Sequence, residues 1–150
     1  MNNIRPANIA DTGRIAEIIV TNYRVNFYPF FLNDEFYFKE MNVLDIASEY
    51  AADPVLSENT YVYDDGIIKG VLRLDGDEIK KLFVEPQFQS MGAGTNLLRF
   101  AVDEKKTFRL WVLDYNKRAQ AFYIRNGFEF TGGKMIEDDW EPLSEMVCRR

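Results

Sequence analysis

Residues 82–98, LFVEPQFQSMGAGTNLL, constrain the chain more than any other stretch. The segment begins as an apolar strand, breaks at Pro86, passes through Gly92 and Gly94, and ends in a pattern suited to a helix. A strand that feeds a helix through a loop of small residues exposes backbone N–H groups, and these converge with the positive end of the helix dipole. Such a place suits a phosphate, because glycine lets the backbone approach where a β-carbon would impose distance. The common phosphate loops fit poorly: GAGTNL has leucine where the dinucleotide fingerprint needs a third small residue, and no Gly-Lys-Ser/Thr follows. Taken alone, the loop is either a phosphate cradle or a structural turn.

Its surroundings define the fold class. Upstream, YVYDDGIIKGVLRLDGDEIKKLFVEP reads as three strands joined by turns at Asp65-Gly66 and Asp75-Gly76. Downstream, Leu97, Leu98, Ala101 and Val102 mark a helix, and FRLWVLD is apolar on both alternating faces, as a central strand would be. NKRAQAFYIRNGF then predicts a helix with Ala119, Phe122 and Tyr123 along one side and a cap at Asn126-Gly127. FEFTGGKMI and SEMVCRR predict a final strand pair, with Cys148 packed in the last strand. At the N-terminal end, an apolar start at Ile4 precedes a helix with Ile15, Ile18, Ile19 and Tyr23 at helical spacing behind Asp11 as N-cap. Between them, residues 23–59 are rich in aromatics and close in a helix ending near Asp53-Pro54. The expectation is a mixed α/β (α+β) chain forming one domain over residues 1–150, without repeat or linker.

Composition removes several chemistries. Histidine is absent and cysteine occurs once, which excludes ordinary Ser/His and Cys/His catalysis and leaves no zinc-ligand cluster, so no metal is expected. A net charge of −6 is unfavourable for a nucleic-acid surface and mildly favours cationic small molecules. No run of eighteen apolar residues and no signal-peptide pattern is present, so the expectation is a cytoplasmic protein with no membrane association.

The longer pattern decides what the loop is for. Val84-x-Pro86-x-x-Gln89-x-x-Gly92-x-Gly94, followed by Leu97-Leu98, resembles the acetyl-CoA signature of the GNAT family, the Gcn5-related N-acetyltransferases. LWVLDYNKRAQAFYIRNGFEFTG resembles the family's next motif, with Asn116, Ala119, Phe122, Tyr123, Gly127 and Phe128 at the expected intervals, and IRPANIADTGRIAEII is similar to its first strand and helix. The resemblance spans nearly the whole chain and is weakest over residues 23–59, where members differ in substrate. Ser90 departs from it, standing where many members have glycine.

This resemblance implies a mainly antiparallel central sheet of about six to seven strands flanked by about four helices, acetyl-CoA as cosubstrate, and a primary amine of a small molecule or peptide as acceptor. Homodimers are frequent in the family. The backbone around Leu82, Phe83 and Val84 is implied to pair with the pantetheine arm, while Gln89, Ser90, Met91, Gly92, Ala93, Gly94 and Thr95 wrap the pyrophosphate. Leu82 to Val84 equally suit a core strand. Tyr123 is implied to protonate the departing thiolate, against the alternative of a core aromatic. Asn116 is implied to bind the cofactor, and it is also well placed as a helix N-cap. Glu78 matches a glutamate thought to accept the amine's proton through water, and it also reads as a solvated charge after a turn.

Tyr28 and Tyr37 are candidates to offer hydroxyls to an acceptor, and Trp140 with its acidic neighbours to receive a cationic amine, although core packing and a solvated loop account for them too. Two functional readings of different class follow: an N-acetyltransferase working by direct attack, and a non-catalytic acyl-CoA-binding or regulatory module. A phosphate-binding fold unrelated to acetyl-CoA would require the second motif to be accidental.

Overall fold

The computed structural model describes residues 3–149. Seven strands form one sheet: β1 (Ile4–Pro6), β2 (Thr60–Asp64), β3 (Ile68–Asp75), β4 (Glu78–Val84), β5 (Arg109–Leu113), β6 (Phe128–Glu137) and β7 (Glu141–Cys148). Their spatial order is β1-β2-β3-β4-β5-β7-β6, and every neighbouring pair is antiparallel except β4 and β5. Six α-helices accompany them: α1 (Thr12–Asn26), α2 (Tyr28–Phe31), α3 (Val43–Ala52), α4 (Pro54–Ser57), α5 (Ala93–Arg99) and α6 (Lys117–Arg125). This is the mixed, mainly antiparallel architecture expected.

Alternation along the strands buries both sheet faces. On one face Leu72, Leu74, Ile79, Leu110 and Val112 pack under α5 and α6 with Leu97, Leu98 and Tyr123. On the other, Val62, Val71, Leu113 and Leu143 meet Ile15, Ile18, Ile19 and Tyr23 of α1. Each such aliphatic side chain contributes about 1.5–3 kcal/mol when fully buried. Gly70 in β3 lets α5 sit close, since a β-carbon there would stand 2.8 Å from Leu97 Cδ1 and 3.3 Å from the Phe83 carbonyl oxygen.

Local chemistry departs from expectation at the start of α1. Asp11 stands at the N-cap position but its side chain makes no capping bond; a 3-10 turn, Ile9–Asp11, intervenes. Asn8 caps that turn, and Asp11 completes a reciprocal capping box by accepting from the Asn8 N–H at 2.8 Å while pairing with Arg5. Beyond α5 the helix widens into a π-helical segment, Phe100–Glu104.

The feature that positions the site is an opening in the sheet. Parallel β4 and β5 pair only at Glu78↔Arg109 and Ile79↔Leu110. The β3–β4 register jumps from Leu74↔Ile79 to Arg73↔Lys81, so Lys80 is an extra residue in β4. A bulge of this kind bends its strand and increases the local twist, which turns the rest of β4 away from β5.

Candidate active site

The fork between β4 and β5 holds a cavity of about 670 Å3. One side is walled by Leu110, Val112, Ala119, Phe122 and Tyr123, and the other by Tyr23, Phe27, Lys81, Phe83 and Trp111. The cavity therefore passes through the plane of the sheet and reaches both packed faces.

Backbone polarity in the fork follows from strand alternation. Just past the end of β4, Glu85 N–H donates to the carbonyl of Lys69 in β3 at 2.9 Å. The groups of Phe83 therefore also turn toward β3, and those of Leu82 and Val84 face the fork. The Val84 carbonyl already accepts from Asn22 Nδ2 and Gln89 Nε2, each at 3.2 Å. Gln89 is thereby tied to the strand rather than presented as a spare donor.

After the 3-10 turn Pro86–Phe88 the loop bends sharply. Ser90 lies at φ 65° and Gly92 at φ 97°, both left-handed, and Gly92 forms the N-cap position of α5. A β-carbon at Gly92 would meet nothing within 4 Å, so its requirement is one of backbone angle and not of space. Arg118 on α6 donates to Ser90 Oγ at 3.1 Å and so links the loop to the second helix. Of the residues assigned to the cofactor, Leu82, Phe83, Val84, Gln89, Ser90, Gly92, Gly94, Thr95 and Asn116 line the cavity. Met91 points to solvent and Ala93 is packed inside, and neither lines it.

Asn116 caps α6, its Oδ1 accepting from Ala119 N–H at 3.0 Å. Tyr123 lines the cavity from the α6 side and is buried; burial raises its phenol above the ordinary value, so it is held protonated. Glu78 lies at the closed end of the fork, on the α1 side of the sheet, with Arg109 Nη1 at 3.5 Å and Lys80 Nζ at 3.7 Å. Tyr123 and Glu78 thus approach the opening from opposite sheet faces.

The remaining aromatic candidates are engaged elsewhere. The Tyr28 hydroxyl donates to Asp34 at 2.6 Å, and the buried Tyr37 hydroxyl donates to Glu141 at 2.5 Å while accepting from Trp140 Nε1 at 3.0 Å. Trp140 packs edge-on against Phe36 and Tyr37, and none of Tyr28, Tyr37 and Trp140 lines the cavity. Glu141 is fully buried with one carboxylate oxygen unpartnered, and burial is the first cause that pushes its carboxyl up to about 7. With Glu137 and Asp138 it brings together carboxylate oxygens within 4.8 Å of one another, an arrangement that could receive a cation.

Sequence reasoning missed Arg73, Lys81, Trp111 and Glu137 as cavity residues. The signal for Lys81 was present: Lys80 and Lys81 stand side by side between Ile79 and Leu82 in a strand, so alternation sends one of the two ammonium groups to each face and each needs a polar space to enter.

Residues 57–130 match the family model of the acetyltransferase (GNAT) domain. The resemblance to the GNAT family is thereby borne out over those residues. The chain is 29% identical over 115 residues to an uncharacterized N-acetyltransferase of Mycobacterium bovis, Mb2688, covering 67% of this chain and 74% of that protein. It is 29% identical over 73 residues to the peptidyl-lysine N-acetyltransferase YjaB of Escherichia coli, covering 49% of this chain and 50% of that one. The solution structure of apo YjaB superposes with a TM-score of 0.78 at 21% identity, covering 96% of this chain and 95% of the other. PaiA N-acetyltransferase from Thermoplasma acidophilum, solved with coenzyme A, gives a TM-score of 0.63 at 20% identity and covers 95% and 96%. Among the described residues, no helix is long and apolar enough to cross a membrane.

Proposed function

We propose that this chain transfers the acetyl group of acetyl-CoA to a primary amine by direct attack, without a covalent acyl-enzyme. The observation that carries the reading is the fork: a cavity through the sheet, edged by the outward-facing backbone of Leu82 and Val84, ending at the left-handed loop that starts α5. An extended pantetheine arm fits such an edge as an added strand, and the N–H groups of the loop and first turn fit a pyrophosphate. The coenzyme A bound in the PaiA relative supports the same class of cosubstrate.

Acetyl-CoA supplies the activated acyl group. The Val84 N–H is oriented to polarise the acetyl carbonyl, which favours attack in a site shielded from water. Glu78, acting through water, accepts the proton that the ammonium form of the acceptor must lose. Tyr123, kept protonated by burial, donates to the departing thiolate from the opposite face. The test is free-thiol release from acetyl-CoA with a panel of small amines and lysine peptides. Amine-dependent release is expected; acetyl-CoA binding with no release for any acceptor would favour the non-catalytic module.

A further inference from the structure

Two cations stand directly opposite each other in the half of the cavity away from Tyr123. Arg73 of β3 and Lys81 of β4 are register partners, so their side chains share one face of the sheet, and both line the cavity. Like charges so placed are mutually destabilising. Their polar contacts are to phenol oxygens: Arg73 Nη1 donates to Tyr50 Oη at 2.9 Å and Lys81 Nζ to Tyr23 Oη at 2.5 Å.

Among the described residues, neither has a carboxylate oxygen within 4.0 Å, whereas Arg5, Arg14 and Arg109 each do. The acids that share this face are committed or displaced. Glu78 pairs with Arg109 and Lys80, Glu141 is held by Tyr37 and does not line the cavity, Glu145 accepts from Thr131, and Glu137, which lines the cavity at a solvent-exposed position, pairs with neither cation. Burial and the facing Arg73 charge work against the Lys81 ammonium while Tyr23 supports it, and the balance lies above the ordinary lysine value.

We infer that the acceptor is a small amine bearing a carboxylate, an amino acid or a close analogue, with the carboxylate received between Arg73 and Lys81; this rests on the acetyl-transfer reading above. The pair reverses the preference for cationic acceptors that net charge alone suggests. It also disfavours the ammonium form of a nearby acceptor nitrogen, which assists the deprotonation that attack requires. Phe27, Phe83 and Trp111 supply apolar walls in the same half.

The test is thiol release with matched series: leucine, leucinamide and isopentylamine; phenylalanine, phenylalaninamide and phenethylamine; lysine, lysinamide and cadaverine. The carboxylate member is expected to lead its series in kcat/KM by roughly 10- to 100-fold, the range of a charge-assisted contact. Arg73→Gln and Lys81→Gln should each collapse that ratio by about 10-fold or more, with acetyl-CoA affinity by calorimetry reporting that the fold survives. Equal or better use of the decarboxylated amines or lysine peptides by the unaltered protein, or unchanged ratios in both variants, would overturn the inference.

A second arm does not need turnover: calorimetry of 4-methylpentanoate and 3-phenylpropionate into CoA-loaded protein. Binding weakened by both substitutions supports the carboxylate site even if no amine releases thiol, which would sink acetyl transfer alone. Absence of binding in the unaltered protein counts against the site itself.

Discussion

Glu141→Gln should make the protein more stable at alkaline pH and leave it nearly unchanged at acid pH. Glu141 is fully buried, and its carboxyl is raised from 4.5 to about 7, first by burial and then by the charges of Asp138 and Glu137, against the lowering effect of the Tyr37 hydrogen bond. A group whose folded value exceeds its unfolded one contributes stability below the unfolded value and loses it as pH rises toward the folded value. The gap of about 2.5 pH units corresponds to about 3 kcal/mol at about 1.36 kcal/mol per unit, all of it lost above pH 7. That is a large fraction of the ~5–15 kcal/mol that holds a typical domain together.

Glutamine keeps a carbonyl to accept from the Tyr37 hydroxyl and cannot ionise. Urea unfolding at 25 °C, followed by tryptophan fluorescence at pH 5, 6, 7 and 8, should show the variant ahead by about 2–3 kcal/mol at pH 8. The advantage should close toward pH 5. A difference that is flat across this range, or that favours glutamate at pH 8, would refute the assignment of a buried, reluctantly ionised carboxyl.

Tyr123→Phe should lower kcat by about 100-fold in the thiol assay while acetyl-CoA affinity is retained. Because burial raises the phenol, the unaltered enzyme should show no falling limb from this group below pH 10; unchanged turnover would remove the acid role. Gly92→Val places a β-branched residue at φ 97°, where strain of about 1–3 kcal/mol disturbs the loop, so calorimetry should show acetyl-CoA binding weakened by at least about 10-fold with circular dichroism unaltered. Gly70→Ala should destabilise by about 1–2 kcal/mol in urea unfolding, although Gly→Ala in a strand is otherwise favourable, because the new methyl crowds Leu97 and the Phe83 carbonyl; a gain in stability would contradict the close packing of α5.

Much of the scaffold was legible because it is local. Asp65-Gly66 and Asp75-Gly76 punctuate the strands that became β2, β3 and β4, and the apolar spacing of Leu97, Leu98 and Ala101 marks the helix that covers them. Asp11 was misread in role because a cap depends on where the first free N–H groups fall, and the turn at Ile9–Asp11 moved them to Asn8. Tyr28, Tyr37 and Trp140 are chemically suitable for an acceptor, but their hydroxyl and indole groups close hydrogen bonds within the protein, which only their tertiary neighbours reveal.

By itself the sequence determined the loop: the order of strand, proline, glycines and helix specifies a sharp turn with left-handed backbone at Gly92 through interactions a few residues long. Tertiary structure decided the rest of the site. The extra residue at Lys80 opens β4 from β5, and the same register sets Arg73 opposite Lys81. Tyr37 meets Glu141 across 104 positions of chain. Backbone angle is set by neighbours in sequence, whereas register, burial and the pairing of charge are set by neighbours in space.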